Sequence, residues 1–538
     1  MAQEEPLPKA SAVIAERLKG LPEPGRPEVA GGIKMAITST DPKAQQHVLD
    51  GLTQLHGGWD LEAYRHFCAA IELDPECLMA HWGVVLALLD AEPALAEERT
   101  AALRRMAALV EQEAGTELER SYAYAIAVFF EEGPAVAGDA FRKISEKFPN
   151  DPQLKLLSAA FGRSGYGISG KAKPDQEKAE ELIEGMLAKQ PDNPLYLNAI
   201  LTIKAEAPDL RGDLERARHL CQLSPGYAPF LHLLGHYELR SGNAAQAVDA
   251  FARAARIYRE WMNTNKLSHA DCPGWVKSEC YRAVALASKG DYASALAVAE
   301  SVASIDVPVS RATSEGGQLL LWEGRTLAAR ILMRRAAIGD AALAIETLPK
   351  PERQKVFHKV TNSTWLYQGL AFTLEARRAV EAGNLVEARK IADVLSLHGE
   401  EMIKTRKSAV IGGERSAWLR AFATLEIAAS EVRGLISMAG PKEDVGSAFN
   451  WYRAALDRQT PGSRLMPPST LLPMECRLAD YYLAKDQPDD AVGILVEAQD
   501  SHPNDIEVLT HLMDAHRQAK RPELADDVAD EIEKVKSQ

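Results

Sequence analysis

Two histidines stand four residues apart, His232 and His236, and this spacing places both imidazoles on one side of a helix. Such a pair suits a divalent transition metal, because imidazole nitrogen is a common ligand of zinc and related ions. No glutamate follows His232, so the His-Glu-x-x-His pattern of metal-dependent hydrolases is absent. A third ligand would have to come from Cys280, His269 or Asp271. The alternative is that the pair contacts a bound partner, or is solvated, without holding a metal.

The histidines lie in a stretch, residues 228–254, that predicts two short amphipathic helices joined by a tight turn at Ser-Gly-Asn. In the second helix an alanine, an aromatic residue and an alanine recur at spacings of four and three, so they share one face. These residues are Ala247, Phe251 and Ala254, and the same spacing recurs at Ala63, Phe67 and Ala70.

Further copies of this helical hairpin follow along the chain. Residues 290–296, Gly-Asp-Tyr-Ala-Ser-Ala-Leu, have the form of its turn, which returns at residues 383–388 and 486–491. A helix-turn-helix unit that recurs about every 34 residues is typical of tetratricopeptide arrays. The chain resembles that family from residue 44 to residue 536. The resemblance implies an all-α fold, an α-solenoid of helix-turn-helix repeats wound into a right-handed superhelix.

Composition and irregular links suggest three segments. Residues 1–42 are rich in proline and glutamate and are predicted as a flexible tail, the alternative being a segment pinned against the body. Residues 43–305 and 306–538 are predicted as an N-terminal and a C-terminal superhelical segment. The soft boundary is placed at the irregular link of residues 305–315.

The resemblance also implies where ligands would bind, because the first helix of each tetratricopeptide hairpin lines a concave groove. On this basis the two histidines face the groove, with polar neighbours at matching positions of the flanking repeats. Two arginines on later first helices would suit a carboxylate or an acidic peptide, or else form a solvated face. The predicted ligand-groove residues are Asn198, Thr202, His232, His236, Arg240, Lys277, Cys280, Arg377 and Arg433.

A narrower resemblance is to a group of bacterial tetratricopeptide proteins. It is carried by residues 73–83, Leu-Asp-Pro-Glu-Cys-Leu-Met-Ala-His-Trp-Gly, and by the helix with the histidine pair. That group has further histidines in the adjacent repeats, where this chain has Asn198, Thr202, Lys277 and Cys280. If the group's histidines bind metal, this chain lacks the full set.

Charge, hydropathy and cysteine usage argue against several classes of protein and of binding site. The net charge of −14, with acidic and basic residues well mixed, argues against binding a nucleic-acid backbone. No apolar run approaches the roughly 20 residues that a membrane-spanning helix needs. The six cysteines form no Cys-x-x-Cys pair and are predicted as buried thiols, the alternative being bridges Cys68–Cys77 or Cys272–Cys280.

The first residues leave two predictions of location open. The sequence carries no signal peptide, and Ala-Gln-Glu-Glu-Pro after Met1 has the form of a mature exported or periplasmic protein. The alternative is a cytoplasmic protein.

The repeat array without a catalytic motif favours a non-enzymatic scaffold that binds a peptide or partner protein in a concave groove. The sequence leaves open whether the chain is an enzyme, and it favours a chain that is not one. The rival hypothesis is a metal-binding protein or metal-dependent enzyme centred on His232 and His236. Self-association is a third possibility, and no cofactor other than a divalent metal is implied.

Overall fold

The computed structural model describes residues 6–89, 95–167, 170–409, 414–441 and 444–538. These residues form an all-α structure without a β-strand, in which most helices pack against the next along the chain. The contacts divide the chain into two compact units, Met1–Leu234 with Asn263–Lys266, and Gly235–Met262 with Leu267–Gln538. Within the described residues, no helix is long and apolar enough to span a bilayer.

The first unit is built from ten helices and the start of an eleventh within the described residues. They are α1 Pro42–Gly57, α2 Asp60–Leu73, α3 Leu78–Ala87, α4 Ala96–Glu111, α5 Glu117–Glu132, α6 Pro134–Lys147, α7 Pro152–Gly162, α8 Pro174–Leu187, α9 Pro194–Lys204 and α10 Leu214–Leu223, followed by α11 Ala228–Arg240 and α12 Ala244–Asn265, which belong partly to each unit.

The second unit continues with helices of more varied length. They are α13 Pro273–Ser288, α14 Tyr292–Ser304, α15 Glu315–Leu319, α16 Arg325–Arg335, α17 Asp340–Thr347, α18 Pro351–His358, α19 Ser363–Glu381, α20 Leu385–Ala409, α21 Glu414–Met438, α22 Val445–Leu456, α23 Met474–Ala484, α24 Pro488–Ser501, α25 Ile506–Gln518 and α26 Pro522–Ser537. A π-helical turn, Leu320–Gly324, joins α15 to α16.

The alternation of small and large residues in the repeats determines how closely the helices pack. Phe67 on α2 is fully buried, and a Cβ atom added at Gly51 of α1 or Gly83 of α3 would come within 3 Å of its ring. Phe251 on α12 lies against Gly235 of α11 in the same way. Glycine on one helix therefore admits the aromatic ring of the other, as close helix packing requires. The predicted all-α solenoid of helical hairpins is confirmed.

The described part of the N-terminal segment, residues 6–41, is packed against the first unit rather than loose. Val13 is fully buried, and the Tyr64 hydroxyl donates to its carbonyl at 2.7 Å while accepting from the Ala15 amide at 3.0 Å. Further along, the Thr38 amide and hydroxyl donate to the carboxylate of Glu119 on α5. These contacts hold the described part of the segment against the first unit, and the flexible tail over residues 1–42 stays a prediction.

The link around residues 305–315 lies within the second unit. Ser314 donates to the Ala270 carbonyl at 2.9 Å, and Lys277 pairs with Glu315 at 2.7 Å, so the link is bound near the start of α13. The contact division falls at Leu234, within α11. The division into two superhelical segments at this link stays a prediction.

Candidate interaction site

The structure places both histidines of α11 inside the protein. His232 is 6% exposed and His236 is fully buried. The His236 ring packs edge-on against Tyr281 with centroids 5.9 Å apart, and Tyr281 stacks on Phe251 at 5.2 Å. Both imidazoles are therefore covered by protein, and their place in a ligand groove stays a prediction.

The rest of the predicted patch is divided between the two units. In the first unit, Asn198 is 8% exposed and donates to a main-chain carbonyl of α1 at 2.7 Å, while Thr202 is half-buried. In the second unit, Lys277 is held by Glu315. Cys280 is buried, and burial raises the pKa of its thiol, which keeps the sulfur protonated.

The structure offers no third ligand for a metal at the histidine pair. Across the described residues, no three histidine, cysteine, aspartate or glutamate side chains cluster as a metal site. His269 packs against the ring of Trp275, and Asp271 is bound to Arg311. All six cysteines are buried free thiols, so neither predicted bridge is present. The metal hypothesis stays a prediction that rests on two ligands.

Elemental analysis tests that hypothesis directly. We expect the purified protein to contain no stoichiometric zinc, nickel or copper, because two imidazoles fall short of the three or four protein ligands of zinc sites. A His232→Asn/His236→Asn variant is expected to have the same metal content as the wild type and as the surface control His219→Asn. One metal per chain, lost in the double variant and kept in the control, would restore the metal-binding function.

In the second unit, one surface formed by several helices is occupied by a later stretch of the same chain. Residues 459–473, which we term the crossing segment, run between α22 and α23 and touch four earlier helices through main-chain carbonyls. Tyr281 of α13 donates to the Met466 carbonyl at 2.7 Å. The remaining donors are Arg240 of α11 to Gly462, Arg330 of α16 and Thr424 of α21 to Ser469, and Arg334 of α16 to Leu471.

Arginines that bind the crossing segment also form ion pairs with buried carboxylates. Glu323, in the π-helical turn, lies between Arg330 at 2.6 Å and Arg420. Burial would raise the pKa of Glu323, but the two guanidinium groups outweigh burial and lower the pKa to about 2. The carboxylate is therefore ionised at neutral pH and neutralises its partners inside the unit.

Arg377, predicted as a ligand contact, belongs to a second buried cluster of this kind. It is 6% exposed, donates to the Met333 carbonyl at 3.0 Å and pairs with Glu431, which also binds Arg477 at 2.8 Å. Burial would raise the pKa of Glu431, but the two cations outweigh it and lower that pKa. Glu431 of α21 thus joins Arg377 of α19 to Arg477 of α23.

Arg433, the remaining predicted residue, lines an open apolar pocket. Its guanidinium lies 5.3 Å from the ring centroid of Trp451 and donates to Ser396 at 2.9 Å and Asp393 at 3.1 Å. The pocket lies among α20, α21 and α22 and has a volume of about 520 Å³. Its apolar walls are Leu395, Ile403, Phe422, Leu425, Ala429 and Trp451. We term this the Trp451 pocket.

The Trp451 pocket combines exposed apolar surface with charge at its rim. Trp451 is 38% exposed and Ile403 is 43% exposed. Arg458, which pairs with Glu426 at 3.5 Å, lies beside Arg433 among the charged lining residues. An apolar floor with a polar rim is the arrangement found at the centre of protein interfaces.

Solved structures match the chain along most of its length at low identity, whereas no family model and no curated protein sequence matches it. The human IFIT1 dimer with m7Gppp-AAAA is 14% identical, covers 93% of this chain and 96% of that one, and gives a TM-score of 0.36. Yeast Tom70 is 12% identical over 92% and 93%, with a TM-score of 0.28. The P58(IPK) TPR domain is 14% identical over 89% and 98%, with a TM-score of 0.17. Scores this low carry no argument about function.

Sequence reasoning missed Trp451 and Ile403. Ile403 lies on α20, well beyond the repeat turn of residues 383–388, and Trp451 lies on α22; neither residue belongs to a motif. A usable signal was the length of α20 and α21, 25 residues each, which exceeds what one tetratricopeptide hairpin needs.

Proposed function

We propose that the chain is a non-enzymatic scaffold that binds a partner protein or peptide, and that the Trp451 pocket receives an apolar side chain of that partner. The observation that carries this proposal is the pocket itself. It is apolar, open and large enough for one or two side chains, and it includes Arg433 of the predicted ligand set.

The residue types support a protein partner. Tryptophan and arginine are the side chains most enriched among the residues that dominate binding energy at interfaces. Here an arginine lies over a half-exposed tryptophan, which holds both side chains in place before a partner arrives. The acidic net charge of −14 supports a protein partner over a nucleic-acid backbone.

The surface to which the crossing segment binds is already occupied, and this also favours the pocket. The crossing segment already takes the hydrogen bonds that Arg330, Arg334 and Tyr281 would offer to an extended peptide. A partner at that face would have to displace main chain bound to buried arginines. The Trp451 pocket needs no such displacement.

Substitutions in the pocket test the proposal. We expect Trp451→Ala and Ile403→Asp each to weaken binding of the native partner at least tenfold, because truncating a central interface aromatic costs about 2 kcal/mol or more. The partner would be captured from a lysate of the source organism, identified by mass spectrometry and then titrated as a purified protein. Far-UV circular dichroism would check that each variant is folded.

Val496→Asp is the matched control, because Val496 on α24 is 51% exposed but does not line the pocket. Its affinity should equal that of the wild type. Binding that survives both pocket substitutions would remove the pocket from the proposal, and an equal loss in the control would show that binding is non-specific.

A further inference from the structure

Helix α20 carries a row of side chains on the side that faces away from its own unit. Its packing side is marked by Ala388 and Ala392, which are buried in a cluster with Ala376 of α19 and Val432 of α21. The outward row follows spacings of three and four residues, which keep its members on one side of the helix. In chain order the row, which we term the α20 row, is Glu387, Lys390, Val394, Leu397, Glu401 and Lys404.

The centre of the α20 row is apolar and open to solvent. Val394 is 39% exposed and Leu397 is 60% exposed. Isolated exposed apolar residues are ordinary on a protein surface. These two, however, are adjacent on one helix face and have charged residues on both sides along the row.

The charged members of the row pair only loosely within the helix. The ammonium of Lys390 lies 3.8 Å from the Glu387 carboxylate, and that of Lys404 lies 2.6 Å from the Glu401 carboxylate. Each of these side chains is close to or more than half exposed. Ion pairs this exposed contribute little to stability, so each charge can also pair with a charge on another molecule.

The order of the row is self-complementary. Read forward it is acid, base, apolar, apolar, acid, base, and read backward it is base, acid, apolar, apolar, base, acid. A second α20 that runs antiparallel, with a twofold axis midway between positions 395 and 396, therefore meets an opposite charge at every charged position. The facing pairs are Glu387 with Lys404, Lys390 with Glu401, and Val394 with Leu397. A parallel pair in register would instead set every charge against its own copy.

We propose that α20 is a self-association surface, through which two copies of the chain pair antiparallel about a twofold axis. Alternating spacings of three and four residues are those of the seam between two paired helices. A twofold axis makes the same patch serve both copies, so each ion pair forms twice. The row is roughly 26 Å long at 1.5 Å per residue. Two apolar side chains from each copy bury less surface than a permanent dimer needs, so the dimer is weak and depends on concentration.

This surface is separate from the proposed site for a partner. None of the six side chains of the α20 row is among the residues that line the Trp451 pocket. Self-association and partner binding thus use different sides of α20, and substitutions in the row test the dimer without altering the walls of the pocket.

Charge reversal in the full chain tests the pairing. We expect the sedimentation coefficient of the wild type to rise with concentration over about 5 to 200 μM, the range suited to a weak interface. Lys390→Glu and Glu401→Lys should each weaken self-association at least about tenfold, because each sets like charges against each other at two symmetric places. An equimolar mixture of the two variants should associate as the wild type does, because each facing pair is again opposite in sign. Recovery in the mixture also shows that both variants are folded.

A matched pair of apolar substitutions completes the test. Leu397→Glu should abolish self-association, whereas Leu343→Glu should leave it unchanged, because Leu343 is 56% exposed on α17 and lies outside the row. A wild type that stays monomeric throughout the concentration range would overturn the proposal. So would a mixture that associates no better than its separate components, or an equal loss in Leu343→Glu.

Discussion

Arg334→Leu is expected to lower the free energy of unfolding of the second unit by about 3–5 kcal/mol, because it leaves a buried carboxylate without its partner. Arg334 is 3% exposed and binds both oxygens of Asp505, at 2.7 and 2.9 Å, as well as the Leu471 carbonyl. Burial opposes its charge, but Asp505 outweighs burial and raises the pKa of the guanidinium. Urea denaturation followed by circular dichroism would measure the loss.

An exposed ion pair provides the control. Arg453 of α22 pairs with Asp457 at 3.0 Å and both side chains are more than half exposed, so Arg453→Leu should cost about 1 kcal/mol or less. Adding Asp505→Asn to Arg334→Leu should recover part of the loss, since asparagine removes the unpaired charge and still caps α25. Equal losses for Arg334→Leu and Arg453→Leu would contradict this account of the crossing segment and its arginines.

Phe67→Ala is expected to destabilise the first unit by about 3–5 kcal/mol, the usual range for emptying a buried aromatic site. The ring is fully buried between Gly51 and Gly83, and neither glycine has a side chain that would refill the space. The midpoint of thermal unfolding and the urea dependence of the circular dichroism signal would both report the change.

Leu73→Ala, on the same helix, is the comparison. Leu73 is 41% exposed, so its truncation removes little buried surface and should cost well under half as much. A small effect of Phe67→Ala would mean that helix α2 is held by contacts other than the aromatic ring between two glycines.

The repeat pattern predicted the fold because its signal is local. Ala63, Phe67 and Ala70 are all fully buried, as their shared helical face requires. Periodicity gives the side of the helix on which a residue lies, but it does not tell whether that side meets solvent or another helix. The histidine pair shows the difference: His236 lies on the predicted side, yet Tyr281 covers it.

The contacts of the crossing segment could not be predicted from the sequence, and the reason is different. Its hydrogen bonds to Arg330 and Arg334 are made by main-chain carbonyls, which every residue possesses, so no motif marks them. The donors and acceptors also lie more than a hundred residues apart along the chain. Arg433 was named from the sequence because it lies on a predicted first helix, whereas Trp451 lines the pocket only through the packing of α20, α21 and α22.

The contacts of Arg334 have a consequence for synthesis on the ribosome. Leu471 follows Arg334 by 137 residues and Asp505 follows it by 171. At the usual elongation rate of about 5–20 residues per second, translation reaches Asp505 on the order of ten to thirty seconds after Arg334. During that interval the guanidinium of Arg334 on α16 has no carboxylate partner, and an unpaired charge disfavours burial. The second unit therefore cannot finish packing helix by helix as it is synthesised, and its folding must wait for the C-terminal helices.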